Sequence, residues 1–495
     1  MSDILNSEKS GILSEMRPFF HPRSIAVVGV SKNPTRFGSA LCRSIKEFGF
    51  SGPIYPVSSS ANEFMGLKAY PSLTDIPMEV DLAYICLPAP HAIGAIKECK
   101  NKGIRAVQLL SSGFSETGTA EGRKLEAELT DLAGDELRII GPNCFGVYCP
   151  SGGLTQIPGI KYPRESGSLG VISQSGGISE DICRLVEDYG IRISHAVSYG
   201  NACDISELEL LQYFESHPQT NLIAVYLEGV KKGKEFFKVL KRLTPKKPVI
   251  FWKGGLTPEG AKVVTSHTAS LSGSEEIWTA MLKQTGAIQV FNMEELMDTA
   301  SAFYHLPPLT DKKVAVVNGG GGVGVSASDA CYRAGLEMAK LSPEVREKIA
   351  SFLLPVGTSA RNPIDVGPPF PPAEMLESVM ETLAASKEVG TIILEKVSPS
   401  IKLREHLGYG REMGWDEKPW IDELPVRISE RWGIPVIVII GEITDPDDTP
   451  ACEAEKRRLR RFYQEQGIAV YPTVERALKS LGRMIRYYRS RNALG

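Results

Sequence analysis

The chain alternates short apolar runs with longer stretches of helical periodicity. Ser24–Gly29 (SIAVVG) is a strand-length run closed by Gly, followed by SKNPTRFG and a helical pattern over Ser39–Phe48. Pro53–Val57, Val80–Leu87, Ala106–Leu110 and Leu137–Ile140 predict further strands, with helices over Pro90–Lys102 and Gly118–Leu132 between them. The device recurs from Ser168, where SLGVISQSGGIS reads as strand, Gly-rich turn, helix. Leu222–Leu227 and Pro248–Trp252 predict strands there, and Glu228–Lys241 and Glu275–Thr285 predict helices. It recurs again from Lys312 (KKVAVVNGGGGVGVSASDA), with strands at Thr391–Glu395, Pro435–Ile440 and Ile468–Tyr471. A basic last helix, Val474–Arg491, is expected to pack on the sheet edge. Strands alternating with helices predict parallel sheets covered on both faces. A Pro/Gly-rich connector over 151–167 and the segment Leu306–Asp311 read as boundaries, so the expected division is 1–150, 151–308 and 309–495.

Length agrees: 495 residues at roughly 150 per domain make about three domains. Charge is balanced, 56 basic against 59 acidic, which argues against a nucleic-acid partner. No apolar run reaches the roughly 18 residues of a membrane span, so no membrane partner is expected. The start, MSDILNSEKSGILSEM, lacks a basic region followed by an apolar core, so no secretory signal is expected. The nine Cys are scattered without CxxC and read as reduced, buried thiols, which suggests the cytoplasm. The seven His are also scattered, with no HExxH or other ligand pair, so no metal site is expected.

Open parallel sheets bind ligands beyond the carboxyl ends of their strands. The candidate chemistry therefore sits in the three Gly-rich turns and the loops near them. VVGVSKNPTRFG carries Gly29 and Gly38 but no GxGxxG; it is either a tight connector or a cradle of N–H groups for a phosphate. Gln174-Ser175-Gly176-Gly177 and the run Gly319 to Gly324 open helices after strands. Each can hold an anion on free N–H groups or serve close packing. His267, in VVTSHTASLSGSEE, has small polar neighbours. An exposed, uncrowded imidazole suits a phosphoryl carrier; the same residues also suit a Ser-rich helix start, with Ser274 capping the helix from Glu275.

Four segments in order, FFHPRSIAVVGVSKNP, GFSGPIYPV, SSGFSETGTAEG and GPNCFG, span most of residues 18–149. They resemble the coenzyme A-binding domain of the succinyl-CoA synthetase superfamily, in its NDP-forming acyl-CoA synthetase branch. WKGGLTPEGAKVVTSHTASLSG resembles that family's phosphohistidine loop. The resemblance implies a Rossmann-like CoA-binding domain followed by two flavodoxin-like, doubly wound ligase domains. It implies that Gly29, Ser31, Lys32 and Pro34 line coenzyme A, with Val57 beginning the turn after the second strand and Pro88 near the pantetheine. It implies that His267 is phosphorylated and that Glu228, in YLEGV, is the carboxylate orienting its imidazole. Ser175, Gly176, Gly177, Gly320, Gly321 and Gly322 would hold phosphate, with Asn362 and Asp365 of TSARNPIDVG as secondary candidates. Two positions depart from the family pattern. Val57-Ser58-Ser59-Ser60 stands where a VNPK-like segment is usual, leaving Lys32 or Arg36 to serve a phosphate, and Ala269 stands where Gly is usual.

The implied activity joins a small carboxylic acid to coenzyme A through an acyl phosphate and a phosphohistidine. No stretch supplies an ATP-grasp domain or a Walker A motif, so Mg2+ and ADP or ATP are expected on a separate ATP-grasp β-type subunit of an α2β2-type assembly. The departures keep a second reading open: a non-catalytic CoA-binding sensor or scaffold of the same fold. An NAD-dependent dehydrogenase would share the βαβ pattern but lacks its glycine fingerprint.

Overall fold

The computed structural model describes residues 11–268, 274–367, 371–396, 421–442 and 449–492. The chain divides into two compact units, Met1–Glu187 with Ile191–Leu296, and Asp188–Gly190 with Met297–Gly495.

The first unit holds two sheets. β1 (Ile25–Val28) and β2 (Ile54–Val57) are followed by a short antiparallel pair, β3 (Glu63–Phe64) and β4 (Leu67–Lys68). β5 (Leu82–Ile85), β6 (Ala106–Leu109) and β7 (Arg138–Ile140) complete a parallel sheet of order β2-β1-β5-β6-β7. The second sheet contains β8 (Gly146–Tyr148), β9 (Leu169–Ser173), β10 (Ile193–Ser198), β11 (Leu222–Leu227), β12 (Val249–Lys253) and β13 (Ile288–Val290). Its order is β13-β12-β11-β9-β10-β8, parallel except for β8, which runs antiparallel to β10.

A single apolar core crosses the two sheets. Ile25, Val27, Leu82 and Tyr84 of the first belong to one buried cluster with Ile223, Val225 and Phe251 of the second. The alternate residues Ala26, Val28, Ala83 and Ile85 point into another cluster under the flanking helices, as a strand's period of two requires. This shared core makes the first two sequence blocks one compact unit.

The second unit carries β14 (Lys313–Asn318), β15 (Glu337–Met338), β16 (Ile364–Asp365), β17 (Thr391–Lys396), β18 (Val436–Ile440) and β19 (Ala469–Tyr471). Its sheet is parallel, in the order β15-β14-β17-β18-β19, with β16 also paired to β14. The three Gly-rich turns leave β1, β9 and β14. Each of these strands has neighbours on both sides, so each turn sits where the strand order reverses.

Several expectations are corrected. The segment after β11 is not helical from Glu228; the helix spans Gly233–Leu243, and Glu228 lies on the loop before it. His267 is not in a loop: its backbone belongs to the helix Pro258–Thr268. Thr257 Oγ1 accepts the Gly260 N–H at 3.1 Å and Pro258 occupies the first turn, so a cap and a preset φ start this helix early. Ala269 lies outside the described residues. The last helix, Val474–Asn492, packs across the sheet face rather than at its edge. Val474, Ala477, Leu478, Leu481 and Ile485 form a buried stripe at helical spacing, clustered with Val314, Ile393 and Ile437.

Candidate active site

Within the first unit, the carboxyl ends of both sheets open on one cavity of about 450 Å³. The strand-end segments supply its wall: Cys86 after β5, Ser111 after β6, Asn143 after β7, Ser175 after β9 and Asn201 after β10. Gly176, Gly177 and Phe145 complete the side facing the second sheet.

The helix Gly176–Leu185 begins in this wall. Ser175 is its N-cap, with backbone φ −91° and ψ 132°, and its hydroxyl accepts the Ile178 N–H at 3.4 Å. Gln174 ties this turn to the neighbouring strand end. Its N–H donates to the Tyr226 carbonyl at 3.0 Å. Its side-chain oxygen accepts the N–H groups of Glu228 at 2.8 Å and Gly229 at 3.2 Å. Glu228 is buried, and its carboxylate accepts the Tyr226 hydroxyl at 3.3 Å. Behind it, buried Lys253 donates to the Glu228 carbonyl at 2.8 Å and to the Gly254 carbonyl, and lies over the Trp278 ring at 5.1 Å. Burial pushes the Lys253 ammonium down to about 8, with the Glu228 charge opposing. The loop carrying Glu228 is thus fixed from both sides before any ligand arrives.

A second polar cluster joins the two sheets at the cavity, where Asn143 and Asn201 are among the lining residues. Asn201 Nδ2 donates to Glu116 at 2.6 Å and to Glu126 at 2.7 Å, and its carbonyl oxygen accepts Asn143 Nδ2 at 3.3 Å. Glu116 also accepts the N–H groups of Gly113 at 2.6 Å and Phe114 at 3.1 Å. The helix Pro258–Thr268 runs against the short turn Ser115–Thr117 that holds Glu116. The backbone of His267 is therefore in an element beside this wall. Asn143, Glu116, Asn201 and Lys253 were not singled out from the sequence. Asn143, Glu116 and Lys253 stand in three of the quoted segments, GPNCFG, SSGFSETGTAEG and WKGGLTPEGAKVVTSHTASLSG, but Asn201 carries no local signal.

The first-turn residues follow β1. Gly29 has φ +99°, and a Cβ there would meet the Cys86 carbonyl oxygen at 2.5 Å, so only Gly fits. The Ser31 N–H donates to Ser39 Oγ at 2.9 Å, which donates back to the Ser31 carbonyl at 3.0 Å. Lys32, Pro34 and Arg36 are exposed on the turn, and exposed Pro88 caps the helix Ala89–Lys102. Val57 is buried at the end of β2, and its carbonyl accepts the N–H groups of Gly29 and Val30. Where the family has its lysine, Ser58 Oγ closes the loop by accepting the N–H groups of Ser60 at 3.3 Å and Ala61 at 3.1 Å.

In the second unit the turn after β14 is organised from within. Gly320 has φ +125° and donates its N–H to Asp365 Oδ1 at 3.0 Å, which also accepts the Gly367 N–H at 2.9 Å. Asn318 Nδ2 donates to the Gly320 carbonyl at 2.7 Å. Gly321 and Gly322 begin the helix Gly321–Arg333. Asn362 is spent on the sheet: it accepts the Val316 N–H at 3.0 Å and donates to the carbonyls of Val314 at 2.8 Å and Ala339 at 3.1 Å. Among the described residues, no helix is long and apolar enough to cross a membrane, and all nine cysteines are free thiols.

Comparison with known proteins places this geometry. Three family signatures match: a CoA binding domain over residues 23–150, a succinyl-CoA ligase like flavodoxin domain over 166–303, and a ligase-CoA domain over 314–396. The chain is 33% identical over 488 residues to the α subunit of acetate–CoA ligase (ADP-forming) I of Pyrococcus furiosus, covering 95% of this chain and 97% of that one. It is 38% identical over 353 residues to the 4-hydroxybutyrate–CoA ligase (ADP-forming) of Nitrosopumilus maritimus, covering 70% of this chain and 50% of that one. Its fold matches the dinucleotide-forming acetyl-coenzyme A synthetase 1 of Ca. Korarchaeum cryptofilum, solved with phosphate and ADP, with a TM-score of 0.81 and 30% identity over 96% of this chain and 97% of that one. Matches of this length to ligases do not favour the non-catalytic alternative. The chain belongs to the ADP-forming acyl-CoA synthetase (acetate–CoA ligase) family, as an enzyme chain of the α-subunit type.

Proposed function

We propose that this chain performs the acyl-transfer and phosphohistidine half of the family's reaction, with the cavity between the first two sheets as the place where it happens. The observation that carries the reading is Gln174. Gln174 lines the cavity beside the Ser175–Gly177 helix start and its side chain holds the Glu228 loop, so one residue ties an anion cradle to the loop that carries the carboxylate.

The reaction balances as follows. A phosphate oxygen attacks the thioester carbonyl of a bound acyl-CoA; the C–S bond breaks, and coenzyme A leaves as its thiol with the proton phosphate gave up. His267 then attacks the phosphorus of the acyl phosphate through one ring nitrogen. The P–O bond to the acyl group breaks and the carboxylate leaves. Glu228 accepts a hydrogen bond from the other ring nitrogen, fixing the tautomer and stabilising the cation that forms. The helix start at Ser175, Gly176 and Gly177 holds the transferred anion on N–H groups and dipole. Gly321 and Gly322 begin a helix of the second unit that offers N–H groups of its own to a phosphate, Gly320 being the turn residue that Asp365 engages; Asp365 and Asn362 act on the fold. Gly29, Ser31, Lys32, Pro34, Val57 and Pro88 border the coenzyme A nucleotide and pantetheine.

The phosphoryl group passes from His267 to ADP on a separate ATP-grasp subunit that also holds Mg2+. The substrate is a small carboxylic acid, as in the acetate and 4-hydroxybutyrate ligases, and the setting is the cytoplasm, in an α2β2-type assembly.

The test is labelled phosphate with a panel of acyl-CoAs and the pure chain, assayed for acid-labile, base-stable label. His267→Asn is expected to lose the label and to cut turnover with the partner subunit by at least about 10⁴-fold, while coenzyme A binding persists. Turnover retained in that variant would overturn the reading.

A further inference from the structure

Three chemistry-bearing side chains outside the cavity come together in the first unit. His21 follows the helix Ile12–Phe20, Cys149 follows β8, and His195 lies within β10. One ligand atom of each lies within 4.8 Å of the other two. Pairing of β8 and β10 builds this cluster. Ala196 faces Tyr148 and Val197 faces Val147 in the antiparallel register, so the next step places His195 opposite Cys149 on one face. His21 reaches the same point from the helix end, its ring 5.7 Å from that of His195.

The second observation is His195 itself. It is fully buried, and neither ring nitrogen has a hydrogen-bond partner. A neutral imidazole carries one donor and one acceptor, and native interiors rarely leave both unmade. Its surroundings are ring edges: Phe20 at 4.6 Å and His217 at 4.5 Å, both T-shaped. Such contacts are second-order substitutes for a hydrogen bond. Burial lowers the basicity of both His195 and His21, with Arg17 adding to the effect at His21. A cavity of about 600 Å³ reaches His21, the outermost of the three, and is lined by both acids and bases, Glu79 and Asp81 with Arg17, Arg23, Lys102 and Arg105.

We infer that His21, Cys149 and His195 form a binding site for a thiophilic d10 cation, Zn2+ or Cu+, held by two imidazoles and one thiolate. Bond lengths of about 2.0–2.3 Å place three such ligands roughly 3.5–4 Å apart, so closure of up to about 1 Å completes the site. Two imidazoles and a thiolate suit these ions better than Mg2+ or Ca2+, which seek oxygen. The site is built into the strand pairing that closes the second sheet, so the ion would brace that edge and take no part in acyl transfer.

The test uses the full chain, purified metal-free and reduced. Co2+, as the spectroscopic stand-in for Zn2+, is expected to bind one equivalent with a thiolate-to-cobalt charge-transfer band, displaced by Zn2+. Cu+ is titrated separately against a colorimetric chelator. Cys149→Ser is expected to abolish the band. His195→Asn is expected to weaken binding by more than the roughly 10–100-fold that loss of a supporting hydrogen bond costs a metal site. If Cys149→Ser does not fold, His21→Gln at the half-buried position is read by affinity instead, with the same expected loss. Stoichiometric binding of either ion that these variants remove supports the site and names the ion. Absence of binding by both ions, or a band unchanged in Cys149→Ser, overturns it and leaves His195 held by ring packing alone.

Discussion

The Gly-rich turns after β9 and β14 begin alike: a buried strand, small residues and a helix start at a strand-order reversal. They end differently. After β9 the cap is a neutral hydroxyl, Ser175, and the nearby carboxylate, Glu228, is held on an adjoining loop by its backbone N–H. The N–H groups of that helix start face a cavity. After β14 a carboxylate sits inside the turn: Asp365 takes the N–H groups of Gly320 and Gly367. One turn leaves its positive end open for an incoming anion, while the other already contains an internal one. A glycine-rich helix start can serve as an anion site only when the protein does not fill it with its own acid.

The largest expected effect tests the open turn's carboxylate. Glu228→Gln keeps the size of the side chain and the backbone bonds to Gln174. It removes the charge that would stabilise an imidazolium. We expect phosphorylation of His267 to slow by about 10³–10⁴-fold, the scale of losing the carboxylate that orients a catalytic imidazole. Rapid-quench measurement of label on the chain checks this, and coenzyme A binding should be unchanged. Label formed at the normal rate would strip Glu228 of its role and leave the two turns separated by packing alone.

A smaller effect compares the turns directly. A Cβ at Gly177 meets nothing within 4 Å, and the same is true at Gly322. Alanine at either position is therefore sterically free in the folded chain, and its methyl acts chiefly on whatever approaches the helix start. Gly177→Ala should raise the KM for phosphate by about 10-fold, the equivalent of one charge-assisted hydrogen bond weakened by about 1.4 kcal/mol. Gly322→Ala should change it by less than about threefold. Equal effects at both positions would mean that the carboxylate in the second turn yields its place to phosphate.

The sequence carried many of the parallel strands because they are continuous apolar runs. IAVV, LIAVYL and VIVII are buried along almost their whole length and are bounded by turn residues. It did not carry β10, whose ISHAVS is just as buried but contains Ser194, His195 and Ser198. There Ser194 Oγ is satisfied by the Leu169 carbonyl and Thr220, partners only the fold supplies. The helix Pro258–Thr268, which carries His267, was hidden by small polar residues that look like a loop until its Thr257 cap is seen. Among candidate site residues, Glu228 and Ser175 are singled out by local motifs. Asn201, the hub between Glu116 and Glu126, was not, because its partners lie 85 and 75 residues away. The same holds for His21, Cys149 and His195, which no spacing rule joins. The contrast between Ser175 and Asp365 was likewise invisible, since Asp365 acts on a glycine 45 residues before it.

The smallest expected effect lies in the filled turn. Asp365→Asn retains a carbonyl oxygen that can still accept from Gly320 and Gly367, but it replaces two charge-assisted bonds by neutral ones. The cost should be about 1–2 kcal/mol, confined to this turn. Hydrogen exchange at the Gly320 and Gly367 amides is the local readout, and protection there should fall roughly 10-fold where exchange proceeds through local opening. The same variant separates two meanings of the internal carboxylate. If Asp365 serves only to hold the turn, its neutralisation loosens the amides and leaves phosphate binding to the chain as it was. If the carboxylate stands where an anion would otherwise sit, removing its charge converts the second turn into a copy of the first. Phosphate affinity then rises while the Gly320 amide becomes protected again by added phosphate. We expect the former, because the carboxylate also takes the Gly367 N–H and so stitches two loops together, a duty that a transient phosphate could not perform between turnovers.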